Sequence, residues 1–217
     1  SNNKTHQTDK MLCDAMWYNQ CKGISMEMTD EQIIKALQTV LDKIHNPESG
    51  IFQELNLEQK RILEQELADK RNIDIRDVRF DLSGREIFEQ RLGDLISCTG
   101  MTKAFLYVAQ NSGLDLRAAI TTEVDCLNNG HSNNGHVVPA VKMSDGQYHI
   151  FEPRAKNAYG ANFQKILSQP VAVGKNVFHI LNSIKDKPYE VVDIITTEQL
   201  EQIKTMDDII EKSRRKQ

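Results

Sequence analysis

Ser97-Cys98-Thr99-Gly100-Met101-Thr102-Lys103-Ala104-Phe105-Leu106-Tyr107-Val108 is the stretch from which the rest of the chain is read. Met101, Ala104, Phe105 and Val108 recur at i, i+3, i+4 and i+7, the apolar stripe of a helix packed on one face. Cys98 therefore stands at a helix start. There the unpaired N–H groups and the positive end of the dipole favour a thiolate and offer donors to a developing oxyanion.

A lone cysteine is more often a small buried hydrophobe than a nucleophile, and the downstream residues decide between the two. Gly135-His136-Val137-Val138-Pro139-Ala140-Val141 reads as a strand opening on a histidine. Gln147-Tyr148-His149-Ile150-Phe151-Glu152-Pro153 reads as a second strand ending in an acid, and Ser144-Asp145-Gly146 between them is a hairpin signal. A thiol at a helix start, a histidine on one strand and a carboxylate at the end of the next have the roles of nucleophile, base and orienting acid.

These residues resemble the core of the transglutaminase-like cysteine superfamily. The likeness rests on Ser97-Cys98-Thr99-Gly100 and its helix, Asn111-Ser112-Gly113-Leu114-Asp115-Leu116-Arg117 leading into a strand, His136, and Phe151-Glu152-Pro153. It covers about residues 93–155. It implies a papain-like arrangement with Cys98, His136 and Glu152 as the triad. Two departures stand out: Val137-Val138 occupies the place where an aromatic residue often follows the histidine, and Glu152-Pro153 replaces the usual Asp-Pro. The expected fold is α+β, an antiparallel sheet packed on the cysteine-bearing helix with added N-terminal helices. The expected activity is cysteine-dependent acyl transfer on protein glutamine carboxamides, by deamidation or transamidation. The alternatives are a cysteine protease using the same site and an inactive protein-binding module of the same fold.

The chain has 217 residues, 39% hydrophobic and 27% charged, with a net charge of −4. Such a composition fits a globular protein with a sizeable core. No basic stripe argues for nucleic acid, and no apolar run reaches the length of a membrane helix or a signal-peptide core. Cys13, Cys21, Cys98 and Cys126 form no C-x-x-C pair and no disulfide spacing, so a reducing cytosol is expected, the chain's own cell's or another's. No cofactor or metal is expected, since there is no phosphate loop, dinucleotide fingerprint, metal-binding helix motif or calcium loop. The expected partner is a protein substrate.

Residues 1–12 read as a disordered leader, 13–92 as a helical part packed on the core, 93–195 as the catalytic core and 196–217 as a C-terminal helix. Within the helical part, one helix starts at Thr29 and runs to Asn46-Pro47. A second spans Asn56 to Lys70 with Leu57, Ile62, Leu63 and Leu67 inward. These helices cover the core or offer a docking face to a protein partner. Ile73 to Phe80 reads as a short strand, and Ser83-Gly84-Arg85-Glu86 begins a helix reaching toward Leu95. Arg117 to Val124 is a strand, followed by an Asn- and Gly-rich loop before His136. After Pro153 the sequence suggests a helix near Phe163–Leu167 and strands at Val171–Val173 and Asn176–Leu181. The last helix starts at Thr197, with Leu200, Ile203, Met206, Ile209 and Ile210 inward. His131 is the substitute base and Cys126 the rival nucleophile, while His45, His149 and His179 read as structural or solvated.

One geometric condition follows from the hairpin. If Asp145-Gly146 is a two-residue turn, Ser144 faces Gln147, and His136 then shares its face with Phe151 while Glu152 points away. A triad requires an odd connection or a β-bulge, for which Pro139 supplies a motive.

Overall fold

The computed structural model describes residues 27–130, 134–154, 167, 169–178 and 187–216. Capping boxes set the first helices. Thr29 with Gln32 starts α1 (Asp30–Ile44), Asn56 with Gln59 starts α2 (Leu57–Arg71), and Ser83 with Glu86 starts α4 (Gly84–Glu89). In each, the cap oxygen takes a first-turn N–H and the glutamine or glutamate reaches back to the cap's own N–H. Helix α1 buries Ile33, Leu37, Val40, Leu41 and Ile44. Helix α2 buries only Leu67 and Ala68, with Leu63 partly covered. Leu57 and Ile62 are 73% and 53% exposed; the inward set expected for this helix is corrected to its C-terminal half, because its first turns lie beyond the core they were expected to reach.

The strand expected over Ile73–Phe80 is a 3-10 turn (Ile75–Asp77) running into α3 (Val78–Asp81). Asp74 decides this locally, since its carboxylate accepts from the Arg76 N–H and closes a turn rather than extending the chain. Helix α4 ends at Glu89, short of Leu95, and Arg91 takes a left-handed φ of 54° before a second 3-10 turn at Gly93–Leu95. The Arg91 side chain ties the chain down there by donating to the carbonyls of Pro47, Gly50 and Phe52.

Helix α5 (Cys98–Val108) follows, then strand β1 (Leu116–Glu123), a short helix α6 (Val124–Asn128), β2 (Gly135–Lys142) and β3 (Tyr148–Ile150). Two brief strands, β4 (Pro170–Val171) and β5 (Asn176–Val177), precede β6 (Tyr189–Ile195). The strands form one antiparallel sheet in the order β4-β3-β2-β1-β6-β5, with an irregularity in the β1–β6 register between Ile120 and Thr121. This is an α+β fold. The main core lies between the helices and one sheet face, and takes in Ala118, Ile120, Val137, Val141 and Phe151; Ala119, Val138, Ala140, Ile150 and Val191 form a smaller cluster on the other face.

Helix α5 is enclosed rather than packed on a single stripe. Thr99, Gly100, Thr102, Lys103 and Leu106 are buried along with Met101, Ala104 and Phe105. The Lys103 ammonium enters the interior and donates to the Phe80 and Ile203 carbonyls, each at 2.6 Å. Burial, opposed by the charges of Glu201 and Asp81, pushes it down to about 8.

The single C-terminal helix expected from Thr197 is two, α7 (Thr197–Glu201) and α8 (Met206–Lys212). Their caps are Thr196 and Thr205, whose capping box with Asp208 starts a new helix after Ile203 turns inward. Ser213, just past α8, is buried, and its carbonyl accepts from Thr122 Oγ1 at 2.7 Å. Cys13, Cys21, His131, His179 and the expected leader lie outside the described residues, as does most of the helix expected near Phe163–Leu167. No helix among the described residues is long and apolar enough to cross a membrane.

Candidate active site

The hairpin has the odd connection. Met143 donates to the Gln147 carbonyl and Gly146 to that of Met143, so Ser144, Asp145 and Gly146 form a three-residue loop. Gly146, at φ +78°, supplies the left-handed position such a loop needs. The strands pair as Ala140 with Ile150 and Val141 with His149. Continued past Phe151, whose N–H meets the Pro139 carbonyl, this register sets Glu152 opposite Val138 and on the face of His136. No bulge at Pro139 is needed. Glu152 lies beyond the end of β3, where the chain turns through Pro153 and Arg154.

The structure brings the three predicted residues together. His136 Nε2 is 2.6 Å from Glu152 Oε2, with the histidine side chain 24% exposed and the glutamate 7%. The His136 side chain is also hydrogen-bonded to the Cys98 thiol. The Val137 N–H also points at Cys98 Sγ, at 3.5 Å. Ser97 occupies the N-cap of α5 yet makes no capping bond with its side chain. The first-turn N–H groups beside the thiol are thus free of the usual side-chain acceptor.

Burial works against charge at both members of the pair, and their mutual contact overcomes it. The thiol is held below its ordinary value despite desolvation, by the hydrogen bond and charge of His136 and by the Val137 N–H, with the Glu152 charge opposing. His136, which burial alone would lower, is carried up to about 10 by its bonds to Cys98 and Glu152 and by their charges. Both shifts favour the thiolate–imidazolium form of the pair.

The pair predicts a particular pH dependence of stability. His136, raised in the fold, contributes stability that is complete below its ordinary 6.5 and lost as pH rises toward about 10. Cys98, lowered in the fold, contributes stability that is complete above its ordinary 9.0 and lost as pH falls through its folded value. Above both 6.5 and the lowered folded value of Cys98, and below 9.0, the folded pair holds one proton on the imidazole and the unfolded chain holds one on the thiol. The site is then silent to pH. Unfolding free energies of the wild type, minus those of Cys98→Ala/His136→Ala, are expected to be flat in that window and to fall as pH rises above 9.0 toward about 10.

The remaining candidates are placed elsewhere. Cys126 lies on α6, itself a correction to the loop expected there. His149 is bonded to Asp145 at 2.8 Å and to the Leu167 carbonyl, which makes it a brace for the hairpin. His45 was not linked to the site by its sequence context, yet its Nε2 is 2.7 Å from the Pro153 carbonyl and its ring stacks on Phe52 at 5.6 Å. It buttresses the turn that carries Glu152. Arg154 Nη2 donates to the Ile96 carbonyl at 3.0 Å and its N–H faces Glu152 Oε1, joining the acid's turn to the lead-in of Cys98. The His45–Pro153 and Arg154–Ile96 contacts have no local sequence signal, because they join residues 108 and 58 apart. Among the described residues no group of three or more His, Cys, Asp and Glu side chains is placed to hold a metal ion. Neither the family models, nor the curated proteins, nor the solved structures contain a match to this chain.

Proposed function

We propose that this chain is a transglutaminase-like, papain-like cysteine enzyme that transfers the acyl group of protein glutamine carboxamides. The observation that carries the reading is the Cys98–His136–Glu152 relay, with a 2.6 Å bond between His136 and Glu152 and a hydrogen bond between His136 and the Cys98 thiol. The Cys98 thiolate attacks the carboxamide carbon and a C–S bond forms. The oxygen's developing charge faces the uncapped first turn of α5, including the Cys98 N–H. The C–N bond then breaks, and ammonia leaves with the proton from the His136 imidazolium. Water or an amine, deprotonated by neutral His136, attacks the thioester and releases the thiolate. Glu152 holds the imidazole ring in place and balances its positive charge, as the acid of such a relay does.

The test is mass spectrometry of glutamine-containing proteins and peptides incubated with the wild type and with Cys98→Ala. Conversion of glutamine to glutamate, or an amine adduct at glutamine, is expected with the wild type alone. Peptide-bond cleavage without either change would identify a protease instead, and no Cys98-dependent change would sink the enzymatic reading.

A further inference from the structure

In β2 the odd-numbered residues bond toward β3, as the Pro139 carbonyl does with the Phe151 N–H. Strand β3 stops at Ile150. Val137, the next odd residue toward the strand's start, therefore presents its N–H and C=O at an edge with no strand beside it among the described residues. The first turn of α5 fills that gap. Cys98 Sγ takes the Val137 N–H at 3.5 Å, and Thr102 Oγ1 lies 3.1 Å from the Val137 carbonyl and 2.9 Å from the Cys98 carbonyl. Thr102 is fully buried.

A threonine four residues after the start of a helix commonly turns its hydroxyl back to the i−4 carbonyl. Here the same hydroxyl is also shared with the strand that carries the histidine, so one proton links the nucleophile's turn to the residue after the base. On the far side, Thr121 Oγ1 donates to the His136 carbonyl at 2.8 Å and fixes the histidine backbone against β1. We infer that Thr102 is a positioning residue that sets the separation between the Cys98 thiol and the His136 imidazole. The inference rests on the catalytic reading of Cys98 and His136. It requires no contact between Thr102 and substrate.

The experiment follows Cys98 alkylation by iodoacetamide as a function of pH in the wild type, Thr102→Val and Thr102→Ser, with circular dichroism and thermal melts on each. Valine matches threonine in shape without the donor, and serine keeps the donor without the methyl. Thr102→Val is expected to raise the midpoint of the reactivity profile by about one pH unit, a roughly tenfold loss of thiolate on its acid side. Thr102→Ser is expected to restore the wild-type midpoint. A folded Thr102→Val with an unchanged profile would overturn the inference. If Thr102→Val does not fold, Thr102→Ala replaces it in the comparison with Thr102→Ser, since those two differ by the hydroxyl alone. Should neither hydroxyl-free variant fold, the group is a general requirement for folding and the positioning role is likewise refuted. A wild-type profile with the midpoint of an ordinary thiol would instead defeat the catalytic reading itself, a result visible before any variant is made.

Discussion

Replacing His136 by alanine is expected to slow alkylation of Cys98 near neutral pH by about 100-fold or more and to move the midpoint of its profile above the ordinary thiol value. Three effects act in the same direction. The imidazolium that stabilises the thiolate is lost, and burial, which already disfavours the charged sulfur, is opposed by the Val137 N–H and the helix start without it. The Glu152 carboxylate, itself buried, then loses its 2.6 Å partner and adds an unscreened like charge. Turnover of a glutamine substrate, measured by ammonia release, should fall by about four orders of magnitude, since the base and the proton donor to the leaving group are the same side chain. Equal alkylation rates in wild type and variant would mean that the contact does not ionise the thiol.

Gly84→Ala is expected to be among the most destabilising single-methyl substitutions in the chain. A Cβ at Gly84 would lie 2.2 Å from the Lys103 carbonyl oxygen and 2.6 Å from its carbon, both backbone atoms of the enclosed helix α5. Neither can step aside as a flexible side chain would. Helix α4 must then back away from α5, disturbing the Gly84 N–H bond to Glu201 Oε1 on the way. Overpacking of this kind costs about 3 kcal/mol, and the melting temperature should drop by roughly 6–12 °C for a chain of this size. Ser83→Ala, which loses only the cap of the same helix, makes the control at about 1 kcal/mol. A Gly84→Ala melt no lower than that of the control would show that the two backbones part easily.

How far the fold could be read in advance varied with the range of the interaction that decides each element. Helix starts at Thr29, Asn56 and Ser83 are written in residues three apart, and those were legible. So were the positions of Cys98, His136 and Glu152, because each stands at or near the end of an element whose period is plain. Ile73–Phe80 misled because alternation of apolar residues over a few positions does not separate a strand from successive tight turns, and the Asp74 bond to Arg76 tipped the balance. Leu57 and Ile62 look inward on a helical wheel, but whether a helix turn reaches the core depends on the tertiary position of α2, which periodicity does not contain. The C-terminal break carried its own signal, Thr205 and Asp208, obscured by an apolar spacing that continues across it. Lys103 could not have been foreseen in the interior, for the carbonyls that receive it come from Phe80 and Ile203, on opposite sides of the helix in sequence.

The enclosure of α5 also bears on how the site comes into being during folding. This helix packs against α1, α4, β1, β2 and α7, segments drawn from residues 30 to 201. Contacts of such long sequence separation form late, after the loop-closure entropy of the intervening chain has been overcome. The contact between Cys98 and His136 is therefore expected only once these segments have come together, and a partly folded copy is expected to be alkylated at Cys98 no faster than an ordinary cysteine.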